Sequence, residues 1–459
     1  MNNRTGAGES VLAVGHIVSP HGRFRGSATW DGLSLDVRTD VAPSGAAGQA
    51  PGGAAAGGYF VPALPVEVHC HGIGAVDFSD LGSLDLTALN ATAAAEGVLC
   101  VPTLYLRHDR LGDFVALMHR YHRLRAAGRL PFVPGIALEG PLLASHGGTP
   151  SATVWPPTRP EWERLAACGA LGLLYVVLSP DALAPASGLR ELVDRRHPDL
   201  GWIVRTLVAA GVRPALGHFT RADPHGSAAL VHDLVGEAWD TPTELRGARV
   251  VTDHLFNDMP MTIRHAFRTQ RARSERDAAL ASYDLPAWTL ADLPGQVGPV
   301  PAAIMQLCRA GRVASCINFD GEHVDLAIAA RAVELVGRDN IMLMTDRCDS
   351  ARLGGQRLHR TEDNTLWYQD GGVVAAGSQP MDRQIGNARG QGLAEEAIWD
   401  LVAFAAHRAF DLEPGTGAPA AGAAGCFVLP DAAATPRPGT GTPGEVSLRR
   451  TPLVAAAGV

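Results

Sequence analysis

The sequence contains no lysine, and all 39 of its cationic side chains are arginine. A Schiff-base lysine, the lysine of a phosphate-binding Walker loop and a carboxylated lysine bridging two metal ions are therefore all excluded. The seven cysteines are scattered, and no two of them form a C-x-x-C pair. Neither a disulfide framework nor a zinc ribbon is indicated.

Positive charge and long apolar runs are also scarce. The net charge of -8 leaves no basic field to attract a phosphate backbone. The first 25 residues lack the charged start, apolar run and cleavage site of a secretory signal. No run of about 18 apolar residues occurs. We therefore expect no nucleic-acid partner, no membrane partner and a cytoplasmic location.

Alternation between apolar strand-like and helix-like segments dominates the rest of the chain. Residues 10–38 alternate as short strands do, and residues 41–58 are low in complexity and predict a loop. Eight apolar segments then alternate with segments of helical spacing. The predicted strands lie at residues 66–70, 98–104, 132–138, 172–178, 213–217, 249–253, 314–318 and 341–345.

Eight strand and helix units over roughly 280 residues predict an α/β fold of the TIM-like (β/α)8 barrel type. Residues 262–293 are predicted to be an exposed, helical insertion after the sixth strand. The N-terminal strands and the C-terminal segment around CFVLPD predict a small β domain. The predicted domains are the N-terminal part of the β domain, the barrel and the C-terminal part of the β domain, at residues 1–60, 61–405 and 406–459.

Two histidines flank a cysteine where the first barrel strand ends, in VEVHCHG. Side chains two apart on a strand point the same way, so His69 and His71 can face the barrel mouth together. That arrangement suits two imidazoles on one metal ion, although satisfied structural histidines would give the same pattern. Cys70 faces the other way and is predicted to be a packed thiol.

Other polar residues stand at the predicted ends of later strands. They are Glu139 in GIALEGP, His218 in ALGHFT, His254 in VVTDHLFNDMP and Asp346 in IMLMTD. Each one alone could be a cap, an ion pair or a satisfied core residue. Their collection at one end of the barrel, where (β/α)8 enzymes place their chemistry, indicates a functional site.

Seven segments extend this pattern into a resemblance that runs in order over residues 60–390. They are HCHGIGAVDFSD, LEGP, GHFTRAD, TDHLFNDMP, DGEHVD, IMLMTD and AGSQPMDR. Together they resemble the N-acetylglucosamine-6-phosphate deacetylases of the amidohydrolase superfamily, and the chain looks like a divergent member. The resemblance implies a TIM-like barrel with a small β-sandwich from both termini, usually as a homodimer.

The resemblance also implies roles for single residues. Glu139, His218 and His254 match the main metal ligands, and His69 with His71 match a pair that helps hold a second ion. Glu139 would bridge the two ions, and Asp346 matches the catalytic acid and base. The implied substrate contacts are Asn257, Asp258, His323, Gly377 and Ser378.

Two departures from the family pattern concern the substrate. Pro150 stands where the family has a histidine after LEGP, with His146 as a possible replacement. The arginine that grips the sugar phosphate is represented by Arg264, one position out of register. Because phosphate requires fixed guanidinium or backbone donors, the 6-phosphate assignment is weakened.

The expected function is therefore a metal-dependent amidohydrolase that removes acetate from an N-acetylglucosamine-type amino sugar. The expected cofactor is one or two divalent ions, with zinc first and iron or manganese as alternatives. N-acetylglucosamine-6-phosphate and a non-phosphorylated conjugate in a biosynthetic pathway stay open as substrates. So do another amidohydrolase, acting on a cyclic amide or N-acyl compound, and a scaffold or binding protein without activity.

Overall fold

The computed structural model describes residues 12–30, 35–39, 58–78, 81–82, 84–264, 266–412, 425–430 and 448–453. Contacts divide the chain into two compact units, residues 1–64 with 414–459 and residues 65–413. The predicted domain boundaries, after residues 60 and 405, stay predictions. The predicted loop at 41–58 lies outside the described residues except for Gly58.

The strands fall into barrel strands, strands of the small unit and short hairpins. In chain order they are β1 (Leu12–Ser19), β2 (Gly22–Trp30), β3 (Leu35–Thr39), β4 (Tyr59–Val61), β5 (Val66–Cys70), β6 (Gly72–Ile73), β7 (Val76–Asp77), β8 (Leu99–Tyr105), β9 (Ile136–Glu139), β10 (Leu173–Leu178), β11 (Arg213–Leu216), β12 (Val251–Thr252), β13 (Ser315–Ile317), β14 (Ile341–Leu343), β15 (Arg352–Leu353), β16 (Gln356–Arg357), β17 (Trp367–Tyr368), β18 (Val374–Ala376), β19 (Gly425–Pro430) and β20 (Leu448–Leu453).

The small unit contains a sheet built from both ends of the chain. Its strand order is β20-β19-β4-β1-β2-β3, and the pairs are antiparallel except for β1 with β4. One face buries Val14, Ala28, Phe60 and Phe427. The two phenylalanine rings lie 5.1 Å apart between centroids. The predicted small β domain from both termini is thus confirmed.

The barrel unit is a closed ring of eight parallel strands. Strands β5 and β8 to β12 form one sheet in the order β12-β11-β10-β9-β8-β5, and β13 pairs with β14. A parallel bridge between Val251 and Ala314 joins the two sheets. Hydrogen bonds from Asp346 N to His69 O at 3.0 Å and from His71 N to Arg347 O at 2.8 Å close the ring. The predicted (β/α)8 barrel is confirmed.

The barrel strands form because their side chains can be buried on both faces, as parallel sheets require. Seven of them begin and end within two residues of their predicted bounds. The third was predicted to begin at residue 132 but begins at Ile136. Pro134 has no N–H to give to a sheet, and Gly135 leaves room for Leu174.

Helices lie between the strands, and several begin at an aspartate whose carboxylate accepts backbone N–H groups. Asp85, Asp199, Asp223 and Asp325 cap α1, α4, α5 and α9 in this way. In chain order the helices are α1 (Leu86–Glu96), α2 (Leu111–Ala126), α3 (Arg159–Ala167), α4 (Leu200–Ala209), α5 (Pro224–Asp240), α6 (Gln270–Leu280), α7 (Leu293–Gln296), α8 (Pro299–Arg309), α9 (Leu326–Val336), α10 (Met381–Gly390), α11 (Glu395–Trp399) and α12 (Ala405–Phe410).

The predicted insertion at residues 262–293 contains the largely exposed helix α6. Arg276 anchors this helix, because its buried guanidinium donates to Gly321 O at 2.9 Å and to Glu322 O at 3.3 Å. Within the part of the chain that the structure describes, no helix combines the length and apolarity needed to cross a bilayer.

Candidate metal centre

Six buried polar side chains meet at the carboxyl ends of the barrel strands. They form two groups of possible metal ligands, each with its ligand atoms within 4.8 Å of one another. We name them the first ligand group (His69, His71 and Asp346) and the second ligand group (Glu139, His218 and His254). All six positions were singled out from the sequence, and parallel strands bring them together because their carboxyl ends share one face of the barrel.

Left-handed backbone concentrates at this site. Among the described residues other than glycine, positive φ angles occur at His218 (57°), Phe256 (68°), Asp258 (39°), Asp346 (50°) and Asp411 (51°). Four of these five belong to the loops that carry the ligand groups. Residues with side chains adopt this conformation at a cost, so its concentration marks a site whose geometry is fixed by the surrounding structure.

In the first ligand group, both histidines turn Nε2 inward because Nδ1 is engaged outward. His69 Nδ1 lies 3.1 Å from the Tyr175 hydroxyl, and His71 Nδ1 lies 3.2 Å from Thr103 O. His71 Nε2 lies 3.3 Å from Asp346 Oδ1. Outer contacts of this kind orient metal-binding imidazoles.

Cys70, between the two histidines, belongs to neither ligand group. Its buried Sγ lies 3.8 Å from Cys100 Sγ. This is the packed position that strand alternation predicts for the thiol.

Glu139 connects the two groups with different oxygens. Its Oε2 lies 3.1 Å from Nε2 of His69 and 3.1 Å from Nε2 of His71. Its Oε1 lies 2.9 Å from Nε2 of His218. A carboxylate placed in this way has the geometry expected of a ligand shared by two ions.

The second ligand group has carboxylates of its own behind the histidines. Asp258 Oδ2 lies 2.9 Å from His218 Nδ1, and Asp258 Oδ1 accepts a hydrogen bond from Ser145 at 3.2 Å. Asp253, fully buried, lies 3.3 Å from His254 Nδ1. Gly217 makes this packing possible, because a Cβ there would lie 1.6 Å from Asp253 Oδ2.

Negative charge governs the protonation of the metal-free site. Burial lowers the pKa of His71, but the Glu139 charge and the Asp346 hydrogen bond raise it to about 10. Burial also opposes protonation of His218, but Asp258 and Glu139 hold its pKa well above the ordinary value. Burial lowers the pKa of His254. The cluster therefore favours positive charge at its centre.

The pKa values of the buried carboxyl groups do not all shift in the same direction. Burial raises the pKa of Asp346, yet the His71 hydrogen bond and the His323 charge lower it to about 2. Burial raises the pKa of Glu139 too, but His71 and the hydrogen bonds from neighbouring histidines hold it well below its usual range. Asp253 differs, because burial dominates and raises its pKa to about 7. Glu139 and Asp346 are thus both negatively charged at neutral pH.

Two buried atoms in and beside the second ligand group, His254 Nδ1 and Asp253 Oδ2, make no hydrogen bond within the described residues. Such orphaned atoms are rare in folded proteins unless an ion or water satisfies them. Imidazole and carboxylate donors around them suit a divalent metal such as zinc, and also iron or manganese. The residues present therefore fit a metal ion.

A cavity of about 170 Å³ opens over the ligand groups. Of the predicted substrate contacts, Asn257 and Asp258 line it. The loop after β9 contributes Gly147 and Gly148, whereas the neighbouring His146 is exposed. Pro150 is buried two residues after this pair of glycines and does not line the cavity.

The other predicted substrate residues lie behind the cavity wall or outside it. His323 Nε2 is 3.5 Å from Asp346 Oδ2, and its Nδ1 pairs with Asp320. Gly377 N donates to Asp346 O at 2.6 Å, and Ser378 donates to Thr365 O at 2.6 Å. His323 and Gly377 thus contact Asp346, whereas Ser378 contacts Thr365.

Arg264, the predicted phosphate ligand, points away from the cavity. Its Nη1 pairs with Glu275 Oε2 at 2.8 Å, and its side chain is 62% exposed. The arginine that lines the cavity is Arg221, in the quoted segment GHFTRAD. No role was predicted for Arg221 or for Asp253. Asp253 directly precedes His254 in the motif TDHLFNDMP.

Comparison with solved structures agrees with this fold. A variant of N-acetyl-D-glucosamine-6-phosphate deacetylase from Mycobacterium smegmatis, in complex with N-acetyl-D-glucosamine-6-phosphate, superposes with a TM-score of 0.59 at 20% identity, over 92% of this chain and 95% of that one. The chain has the fold of these deacetylases.

Two further structures of N-acetylglucosamine-6-phosphate deacetylases agree. The protein from Pasteurella multocida has a TM-score of 0.58 at 15% identity, over 88% of this chain and 90% of that one. The protein from Thermotoga maritima has a TM-score of 0.58 at 15% identity, over 92% and 95% of the respective chains. No protein-family model and no curated protein sequence matches the chain. The fold resemblance to these deacetylases expected from the motifs is confirmed.

Proposed function

We propose that the protein is a divalent-metal-dependent amidohydrolase that removes the acetyl group from an N-acetylglucosamine-type amino sugar. The observation that supports this most is the position of Glu139, which faces both ligand groups with separate oxygens beside Asp346. The shared fold with sugar deacetylases supports the same choice of substrate class. The scaffold alternative finds no support, since no ligand position has been replaced.

Glu139, His218 and His254 would hold the principal ion, and His69 with His71 would hold a second one that Glu139 shares. A bound divalent ion supplies a water of lowered pKa and polarises the amide carbonyl. His69 and His71 are held in place by Tyr175 and Thr103. This preorganisation turns Nε2 of each imidazole toward Glu139, where it could act as a ligand.

Asp346 is placed to move the proton. Its carboxylate is anionic at neutral pH, because hydrogen bonding and nearby charge lower its pKa to about 2. It would accept the proton of the attacking water and pass it to the departing nitrogen as the amide C–N bond breaks. Acetate and a free amine are the products. His323 and Gly377 hold Asp346 from behind.

Asn257 and Asp258 line the cavity and would contact or border the sugar. The finer proposals follow from the family resemblance. They are zinc as the preferred ion, a homodimer, a cytoplasmic location and a place in carbohydrate metabolism.

The test is metal-dependent release of acetate. Purified protein is stripped with a chelator, reloaded with zinc, iron or manganese, and assayed on N-acetylglucosamine, its 6-phosphate and its methyl glycoside. We expect acetate release only with a metal present. Absence of acetate with every ion and substrate would contradict the proposal. The stripped protein is the control for spontaneous hydrolysis.

A further inference from the structure

The substrate class can be narrowed from the charges around the cavity, an inference that rests on the proposed function. Phosphate recognition needs fixed guanidinium groups or backbone donors. Arg264 does not supply one, because Glu275 holds it on the exposed surface beside α6. Arg271 pairs with the same carboxylate at 3.0 Å, so both guanidinium groups are held by Glu275 outside the cavity.

Arg221 is the arginine in the cavity lining, and a carboxylate stands beside it. Its Nη2 lies 3.7 Å from Asp258 Oδ1, and its side chain is 68% exposed. Asp258 is fixed in the wall by His218 and Ser145, and cannot turn away without breaking both contacts. A phosphate bound to Arg221 would therefore lie near a second anion. One exposed arginine facing an aspartate is a poor phosphate site.

The remaining rim of the cavity is apolar. Val373, Val374, Ala375 and Ala266 line it, and the Val373 side chain is among the few large apolar ones that stand exposed in the described chain, at 43%. Exposed apolar residues at the entrance of a polar site suit an uncharged, apolar part of a ligand better than an anion.

A second cavity, of about 480 Å³, adjoins the first. Arg221 lines both cavities, and the segment that carries Asn257 and Asp258 continues into the lining of the second one. We call this second cavity the side groove; its lining includes Met259, Pro260, Met261, Ile263 and Pro299. Among the described residues that line it, none is acidic and Arg221 alone is charged.

We infer that the substrate is an uncharged N-acetylglucosaminide with an apolar substituent, and that this substituent lies in the side groove. The acetamide would reach the ligand groups while the rest of the molecule passes Arg221. Arg221 lies in the walls of both cavities and residues 257–263 pass from one wall into the other, which supports a part of the substrate as the occupant. Burial of each methylene in such a groove strengthens binding by up to about fourfold.

The test uses the metal-loaded enzyme and a series of methyl, butyl and hexyl N-acetylglucosaminides, with N-acetylglucosamine-6-phosphate for comparison. We expect kcat/KM to rise several-fold from methyl to hexyl and the phosphate to be the poorest substrate. Met261→Asp should remove the dependence on chain length. Leu192→Asp, an exposed leucine outside both cavities, is the matched control.

Several outcomes would overturn the inference. If the rate of acetate release does not depend on the length of the alkyl chain, the side groove does not bind the substituent. The proposed function would be unaffected by that result. A preference for the 6-phosphate that Arg221→Gln abolishes would show that an anion is recognised instead. A change of oligomeric state in Met261→Asp, measured by light scattering, would assign the groove to an interface between two copies of the chain.

Binding to Asp346→Asn, measured by calorimetry with the same glycosides, separates the two proposals. Affinity that grows with chain length without any turnover by the parent enzyme would support the groove and contradict deacetylation. No binding and no turnover would contradict both.

Discussion

The two ligand groups lie at the same end of the barrel, but their members come from the strands in different ways. The first takes two of its members, His69 and His71, from one strand end, so their common direction follows from the alternation of side chains. The second takes Glu139, His218 and His254 from three separate strands. The histidine pair of the first group can be read from one short stretch of sequence, whereas Asp346 joins that pair, and the second group forms, only once the barrel closes.

The groups also differ in their supports and in their charge. The first group relies on neutral partners such as the Tyr175 hydroxyl and Thr103 O. The second relies on carboxylates, Asp258 against His218 and Asp253 against His254. In the metal-free protein the pKa of His71 is raised to about 10, whereas burial lowers that of His254. Glu139 is the residue that the two groups have in common.

The largest effect is expected for Glu139→Gln, which affects both groups at once. Loss of the carboxylate removes the negative charge that faces His69, His71 and His218. We expect bound metal to be lost and activity to fall by about 10³-fold or more, since one preorganised charge in a site is worth about 10²–10³. Metal analysis and acetate release measure this.

Glu334→Gln, on a side chain that is 64% exposed, is the control for Glu139→Gln and should keep both metal and activity. Retention of metal and of most activity by Glu139→Gln would refute its shared role.

Asp346→Asn should separate proton transfer from metal binding. The second ligand group is unchanged by this substitution, so its ion should stay bound. Loss of the proton acceptor should lower kcat by about 10²–10⁴-fold. Steady-state kinetics and metal analysis of the same preparation test this. An unchanged kcat would show that another residue transfers the proton. Loss of all bound metal would show that Asp346 acts mainly as a metal ligand.

Asp258→Asn should weaken the second ligand group selectively. The amide no longer holds His218 with a charged hydrogen bond, and such outer contacts are worth about 10–100-fold in metal affinity. Titration with zinc in competition with a chelator measures the change. Asp277→Asn, on an exposed side chain of α6, is the matched control. An unchanged affinity for zinc would show that Asp258 does not support the second ligand group and acts only in the sugar pocket.

The smallest effect concerns pH and the metal-free protein. Because the folded pKa of His71 is about 10 against an ordinary 6.5, its stabilising contribution is complete below pH 6.5 and is lost as the pH rises through about 10. We expect the thermal midpoint of the stripped protein to fall by several degrees over this range. His71→Asn should reduce that slope.

Metal affinity should change with pH in the opposite direction, since binding requires neutral imidazole. A stripped protein whose midpoint rises with pH over the same range would contradict the charge state assigned to the first ligand group.

Much of the fold was predictable because strands that are buried on both faces give continuous apolar runs in the sequence. The bounds of seven barrel strands were predicted within two residues. The error at the third strand came from an apolar run that contains Pro134, where a missing N–H outweighed hydrophobicity. The helical spacing of residues 111–128 and 324–337 predicts helices there, and α2 and α9 lie within those ranges.

The residues of the site could be predicted because the ends of the strands could be predicted. Six ligand positions followed from their place after apolar runs, and the motif resemblance added Asp258 and His323. The directions of the side chains did not follow. Arg264 was expected to contact phosphate, but the pairing with Glu275 depends on where α6 lies.

The sequence by itself therefore determined the succession of strands, the absence of any bridging lysine and the polar residues at the strand ends. These properties depend on residues close together in the chain. Tertiary structure alone decided that Glu139 faces both ligand groups, that Asp253 and Asp258 support the histidines, and that Arg221 borders two cavities. Apart from the contact between the neighbours Asp253 and His254, these contacts join different barrel loops, and only closure of the ring fixes the distances between them.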